Sequence, residues 1–165
     1  MSEQTNQPET ALPDDRRLRL GIAAAYEQAK KSFDEGGVPV GASLMIGDEV
    51  VAVGHNRRVQ QGSSILHGET DCIERAGHEH DLSQATLFTT LSPCTMCAGA
   101  IRLFRIPEVV ILDSVNTADY ETTEEEMSAH GVRVRRVPHE PSIELNRRFQ
   151  QDPVTRRIWL GDVGI

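Results

Sequence analysis

Two short runs restrict what this chain can fold into: His67-Gly68-Glu69, and Pro93-Cys94-Thr95-Met96-Cys97, with His67 and Cys94 27 positions apart. One imidazole, two thiolates and a carboxylate in that pattern are useful only if the fold gathers them around one ion. A structural zinc site is closed by four protein groups, whereas a hydrolytic one keeps a position open for water. The motif offers three ligands, His67, Cys94 and Cys97, and leaves Glu69 spare. That points to chemistry at the metal and not to a staple.

Taken alone, C-x-x-C also describes a redox pair. The proline before it and the H-x-E upstream select zinc. Residues i and i+3 of a helix lie roughly 60° apart around the axis, so Cys94 and Cys97 reach one ion. In a first turn, the positive end of the helix favours thiolates. His67 opens another predicted helix, so two helix N-termini are expected to face a common point. Cys72, roughly 140° round the axis from His67, points elsewhere and is expected to pack as a small apolar group. His55, His78, His80, His130 and His139 share no ligand spacing and are read as surface or cap histidines. Zinc lowers the pKa of bound water from about 15.7 to about 7. Glu69 is the candidate to carry protons from that water, although first-turn geometry does not decide which way it points.

At 165 residues the chain suits one domain with its own core. The polar start, residues 1–13, reads as a flexible tail, and 14–165 as a single domain. With 38% hydrophobic and 25% charged residues, the composition is that of an ordinary globular protein. No apolar run approaches the roughly 18 residues of a membrane span. Three cysteines, two of them in metal spacing, suit a reducing cytoplasm. The net charge of −8 disfavours a polynucleotide partner. Arg133, Arg135, Arg136, Arg147, Arg148, Arg156 and Arg157 crowd toward the C-terminus and are read as solvated faces.

Leu18, Ile22, Ala25, Ala29 and Phe33 recur at three and four, which predicts an amphipathic helix over 14–35. Residues 42–46 and 50–54 read as a hairpin around Gly47-Asp48-Glu49. Helices follow over 67–76, 94–105, 122–130 and 142–151, with strands over 85–91, 108–113 and 132–137. Ser92 is expected to cap the helix that begins at Pro93. A last short segment, 154–160, follows Asp152-Pro153. Strands alternating with helices imply a central sheet covered on both faces.

The chain resembles the cytosine deaminase superfamily, and within it the fungal cytosine deaminases, over about Tyr26 to Val163. Three blocks carry this. They are Glu35-Gly36-Gly37-Val38-Pro39-Val40-Gly41; Gly54-His55-Asn56 with Gln60-Gln61-Gly62-Ser63 leading to Leu66-His67-Gly68-Glu69; and Thr89 to Cys97 with Gly99-Ala100-Ile101. Trp159, Asp162 and Gly164 match the family's C-terminal lid pattern. The resemblance implies an α/β fold, a three-layer α/β/α sandwich on a mixed five-stranded sheet. It also implies a homodimer, and hydrolysis of free cytosine to uracil and ammonia. His67, Cys94 and Cys97 would hold zinc and Glu69 would shuttle the proton. Asn56 and the backbone N–H of Gly68 would meet the pyrimidine carbonyl, and the Ser92 carbonyl the exocyclic amine. Asp162 would accept the ring N–H, and Trp159 would close over the base.

The residues keep their own readings beside this. Gly68 leaves room for close backbone approach, Asn56 also suits a turn, and a lone tryptophan such as Trp159 is more often core. One departure concerns the pocket: Val115-Asn116-Thr117 stands where the fungal enzymes follow Val-Asn with an aromatic. That loss widens the pocket or leaves Tyr120 to fill it. Isocytosine, guanine or a creatinine-like ring therefore remain alternative substrates, and tRNA adenosine deamination an alternative activity.

Overall fold

The apolar residues of the inner strands alternate in orientation, and that alternation builds two cores on one sheet. The computed structural model describes residues 16–117 and 121–164, so the 1–13 tail and Tyr120 lie outside the described residues. The strands β1 (Gly41–Ile46), β2 (Glu49–His55), β3 (Ala85–Thr89), β4 (Glu108–Ile111) and β5 (Arg133–Arg136) stand in the order β2-β1-β3-β4-β5. β1 pairs antiparallel with β2 and β3, while β3–β4 and β4–β5 are parallel. The sheet is thus mixed and five-stranded, as expected.

Ala42 and Leu44 of β1, Ala85 and Leu87 of β3, and Val109 and Ile111 of β4 share one face. Against them pack Cys72, Ile73 and Ala76 of α3 (Gly68–Ala76), Ala98 and Ile101 of α4 (Thr95–Leu103) and Met127 of α5 (Glu121–Ala129). Met45, Phe88 and Val110 face the other way, onto Leu18, Ile22 and Ala25 of α1 (Arg16–Asp34). Period two in the strands meets period 3.6 in the helices, which gives an α/β sandwich. Cys72 is fully buried in the first core, as expected of a small apolar group. The closeness of α1 depends on Gly41, where a Cβ would stand 2.3 Å from the Ala25 carbonyl oxygen and the Ala29 nitrogen.

A third apolar cluster lies at the carboxyl end of β3, under α6 (Glu140–Gln151) and α7 (Thr155–Asp162). The last segment, left without a type by the sequence, is this helix α7. Asp152 Oδ1 accepts from the backbone N–H groups of Val154 and Thr155 and so turns the chain into it. A short helical turn α2 (Arg58–Gln61), absent from the sequence reading, closes on Gly62 in the left-handed conformation. β3 stops at Thr89, two residues early, because the chain then turns toward the candidate site. No helix among the described residues is long and apolar enough to cross a membrane.

Candidate active site

His67 and Cys94 are the N-cap residues of α3 and α4, with nearly equal extended backbones (ψ 173° and 174°). This corrects the expectation that Ser92 caps α4 and Pro93 opens it. The Ser92 hydroxyl is committed elsewhere, to Glu124 Oε1 at 2.7 Å, so the helix begins only after Cys94. The two helix starts do face a common point. His67 Nδ1 lies 3.5 Å from Cys94 Sγ and 3.7 Å from Cys97 Sγ.

Those separations test the fit of an ion. Zinc bonds of about 2.0–2.1 Å to nitrogen and about 2.3 Å to sulfur, at a tetrahedral angle, set the donors about 3.6 Å apart. The trio matches, and among the described residues the cluster ends with these three. In the metal-free chain burial pulls His67 down, but the Cys94 thiolate, Asp162 and Glu69 outweigh it and hold the imidazole at about 9. Cys94 falls to about 4, first through the neighbouring Cys97 thiol and then through His67. Cys97 is pushed well up by its hydrogen bond to Cys94 and by burial.

Glu69 points inward, which the sequence did not decide. It is 3% exposed, and its Oε1 lies 2.9 Å from Thr89 Oγ1. Its Oε2 lies 3.4 Å from Cys97 Sγ. Burial, then the Cys94 charge, raises its pKa above the ordinary carboxylate value. Thr89 Oγ1 also stands 2.9 Å from the Leu91 carbonyl. A hydroxyl has one proton, so Thr89 serves Leu91 fully when Glu69 carries a proton of its own.

Beside the trio is a narrow cavity of about 20 Å³, about the room of a single water molecule. Its walls include Val40, Asn56, Glu69, Leu91, Ser92, Trp159 and Asp162. Asn56 has its amide orientation fixed, because its Oδ1 accepts from the Arg58 backbone N–H at 2.9 Å. Its Nδ2 then donates to Asp162 Oδ1 and Oδ2 at 3.1 and 3.0 Å. Asp162 Oδ1 also lies 3.4 Å from His67 Nε2, the nitrogen on the far side of the ring from the sulfurs. A carboxylate there sets the tautomer and ring orientation of a metal-ligating histidine. Burial raises the pKa of Asp162, against the pull of His67 and Asn56.

Trp159 is at once core and wall: 7% exposed, it packs with Val38, Val40, Leu91 and Phe149 and also lines the cavity. Gly68 is not a wall residue. A Cβ there would stand 2.9 Å from the Val40 carbonyl oxygen, so its closeness is to the preceding loop. Thr117 is not a wall residue either, and Asn116 beside it is tied to Asp113 and to the Ile143 carbonyl. The arginines near the C-terminus are largely paired, Arg133 and Arg135 with Glu108, Arg136 with Glu124 and Arg147 with Glu144.

Sequence reasoning missed the groups that brace this site. Asp71, 2% exposed on α3, accepts from the His55 backbone N–H and from Arg57 Nε, so both neighbours of Asn56 are anchored. Its only signal was a carboxylate next to Cys72 in the first turn of a helix. His55, read as surface or cap, is instead 1% exposed, with Nδ1 at 3.0 Å from Gln28 Oε1. Burial lowers its pKa, and Arg57 pulls the same way against Glu35. The folded chain keeps His55 neutral where the unfolded chain, near 6.5, already binds a proton. This contribution to stability is full above about pH 6.5 and is lost as pH falls through that value toward the folded pKa. The urea midpoint is expected to drop less for His55→Asn than for wild type between about pH 7.5 and pH 5.5. Equal drops would remove His55 as a source of acid sensitivity.

A helix-flanked mixed sheet with a three-donor metal cluster and a buried carboxylate defines a zinc-dependent hydrolytic site. The family model for the cytidine and deoxycytidylate deaminase zinc-binding region matches residues 16–113, and the chain belongs to that family. Zinc is the family's metal, and the donor set here fits it. Over 154 residues the chain is 37% identical to the cytosine deaminase of Candida albicans, covering 92% of this chain and 97% of that protein. It is 44% identical to the tRNA-specific adenosine deaminase of Bacillus subtilis over 94 residues, 55% of this chain and 58% of that protein. Among solved structures, guanine deaminase from Nitrosomonas europaea superposes with a TM-score of 0.67 at 19% identity, covering 89% of this chain and 98% of that one. That likeness is one of fold.

Proposed function

We propose that this protein hydrolyses a free nucleobase, cytosine, to uracil and ammonia. The observation that carries this reading is the Asp162–Asn56 pair in the cavity wall. Asn56 presents an N–H donor whose orientation is fixed, and Asp162 presents a carboxylate acceptor beside it. A pyrimidine-2-one edge offers the complement, a carbonyl oxygen beside a ring N–H. A nucleoside has lost that N–H to its ribose, and an unpaired buried acceptor is a strong ground for rejection. The near full-length likeness to a cytosine deaminase supports the same choice.

His67, Cys94 and Cys97 hold the zinc, which when bound acidifies water and makes it a nucleophile at neutral pH. Glu69 takes a proton from the attacking water and delivers it to the ring nitrogen. As the C–N bond to the exocyclic amine breaks, the same carboxyl passes the second water proton to the leaving group. One water is consumed and one ammonia leaves, so the carboxylate ends as it began. Its raised pKa suits a group that must both take and give protons. Asn56 holds the ring carbonyl, the Ser92 carbonyl accepts from the amine, and Trp159 covers the base.

The same reading takes residues 14–165 as one deaminase domain, acting as a homodimer in the cytoplasm and serving pyrimidine salvage. Ammonia release is the test, across cytosine, isocytosine, guanine, creatinine, cytidine and an anticodon stem-loop RNA. Cytosine is expected to exceed cytidine by at least about 10³-fold in kcat/KM. Turnover confined to the RNA would end the free-base reading, and a preference for another free ring would replace cytosine.

A further inference from the structure

Of the three consecutive carboxylates Glu124, Glu125 and Glu126, Glu124 turns inward: it is 4% exposed while the other two are exposed. Its Oε1 accepts from Ser92 Oγ at 2.7 Å and from Ser114 Oγ at 3.3 Å. Its Oε2 accepts from Arg136 Nε at 2.6 Å, with Nη2 at 2.5 Å. The preceding residue on α5, Thr123, donates to the Pro93 carbonyl at 2.8 Å. On the other side Thr89 Oγ1 meets the Leu91 carbonyl, and the Ser92 N–H donates to the Asp113 carbonyl. The carbonyls on either side of Ser92 therefore each lie within reach of a donor. The Ser92 carbonyl has none among the described residues, and Ser92 lines the cavity.

We infer that Glu124 is a positioning residue for substrate recognition, with Arg136 as its counter-charge. By holding the Ser92 hydroxyl it fixes the rotation of the Leu91–Pro93 segment, so that the spare Ser92 carbonyl meets the exocyclic amine. A short charge-assisted hydrogen bond in a buried setting is strong enough to set that rotation. The inference rests on the free-base reading above and adds to it the element that orients the amine acceptor. It gives α5 a role at the site, though its sequence resembles only a solvated acidic helix.

The test uses Ser92→Ala, Glu124→Leu, Glu124→Gln and the double variant Ser92→Ala/Glu124→Leu. Each is assayed on whichever free base of the panel the wild type turns over best. The probe of specificity is inhibition by the same ring without its amine, pyrimidin-2-one where the base is cytosine. Zinc content and thermal unfolding are followed alongside. Ser92→Ala and Glu124→Leu are each expected to raise KM for the amine-bearing base about tenfold. The inhibition constant of the amine-free ring should stay within about twofold. The double variant should be no worse than the worse single one, because one interaction is being removed twice. Glu124→Gln keeps an acceptor for the hydroxyl and should recover most of the loss. Equal weakening of both ligands, additive losses, or an unchanged KM would each overturn the role. Should Glu124→Leu not fold, Ser92→Ala decides alone on the same two ligands. A wild type active on a base but indifferent to these changes overturns only the role of Glu124. A wild type inactive on every base removes the function reading and this inference with it.

Discussion

Glu69→Gln is expected to leave zinc content and fold at wild-type levels while lowering deamination by on the order of 10⁴-fold, the upper range for a single acid–base group. The substitution is nearly isosteric. Its oxygen still accepts from Thr89 Oγ1, which lies 2.9 Å away, and its amide nitrogen donates toward Cys97 Sγ, 3.4 Å from the present Oε2. What disappears is the ability to take a proton and give it back. Both transfers in the proposed reaction run through this carboxyl, so no partial route survives. Glu69 is also a poor candidate for a structural carboxylate. It is 3% exposed without a cationic side chain among its hydrogen-bond partners, and burial raises its pKa. An ionised carboxyl held so would cost stability unless chemistry required it. The check is kcat with zinc content measured on the same preparation. Turnover within tenfold of wild type at full zinc would show that another group moves the protons.

What could be read from the sequence follows from the range of each interaction. The metal trio was legible because ligand chemistry allows few residue types at few spacings, and His67, Cys94 and Cys97 do converge. The doubly covered sheet was legible because strands alternating with helices must bury both faces, and Ala42 to Met45, Ala85 to Phe88 and Val109 to Leu112 do so. Ser92 was misjudged because it is a good capping residue locally, yet its hydroxyl is claimed by Glu124, 32 positions later. His55 was misjudged for the same reason, since its burial comes from α1 lying across it. Trp159 carried two readings, core and wall, that the sequence set against each other and the fold combines. The link between Asn56 and Asp162 spans 106 positions, and no local pattern encodes it. Local propensity locates the elements, and long-range pairing decides which polar groups remain available at the site.

Asp162→Asn is the substitution expected to damage the protein most after Glu69→Gln, and it separates two roles carried by one carboxylate. Asp162 faces Asn56 Nδ2 with both oxygens and His67 Nε2 with one. Asparagine keeps a single acceptor, and its amide turns a donor toward either the imidazole N–H or the substrate's ring N–H. Meeting His67 with a donor should weaken zinc binding by roughly 10–100-fold. Meeting the base with a donor replaces a charge-assisted hydrogen bond by a buried donor–donor contact, worth about 3–4 kcal/mol, or a loss in kcat/KM on the order of several hundredfold. The two losses separate under saturating zinc, where the first is restored and the second is not. The expected result is therefore a large residual loss on the free base when the metal site is full, with thermal unfolding close to wild type. Full recovery on adding zinc would confine Asp162 to orienting His67, and the case for a free base over a nucleoside would lose its acceptor. Wild-type zinc affinity together with wild-type kinetics would remove both roles. The buried carboxylate would then serve only to hold Asn56 and the C-terminal helix in place.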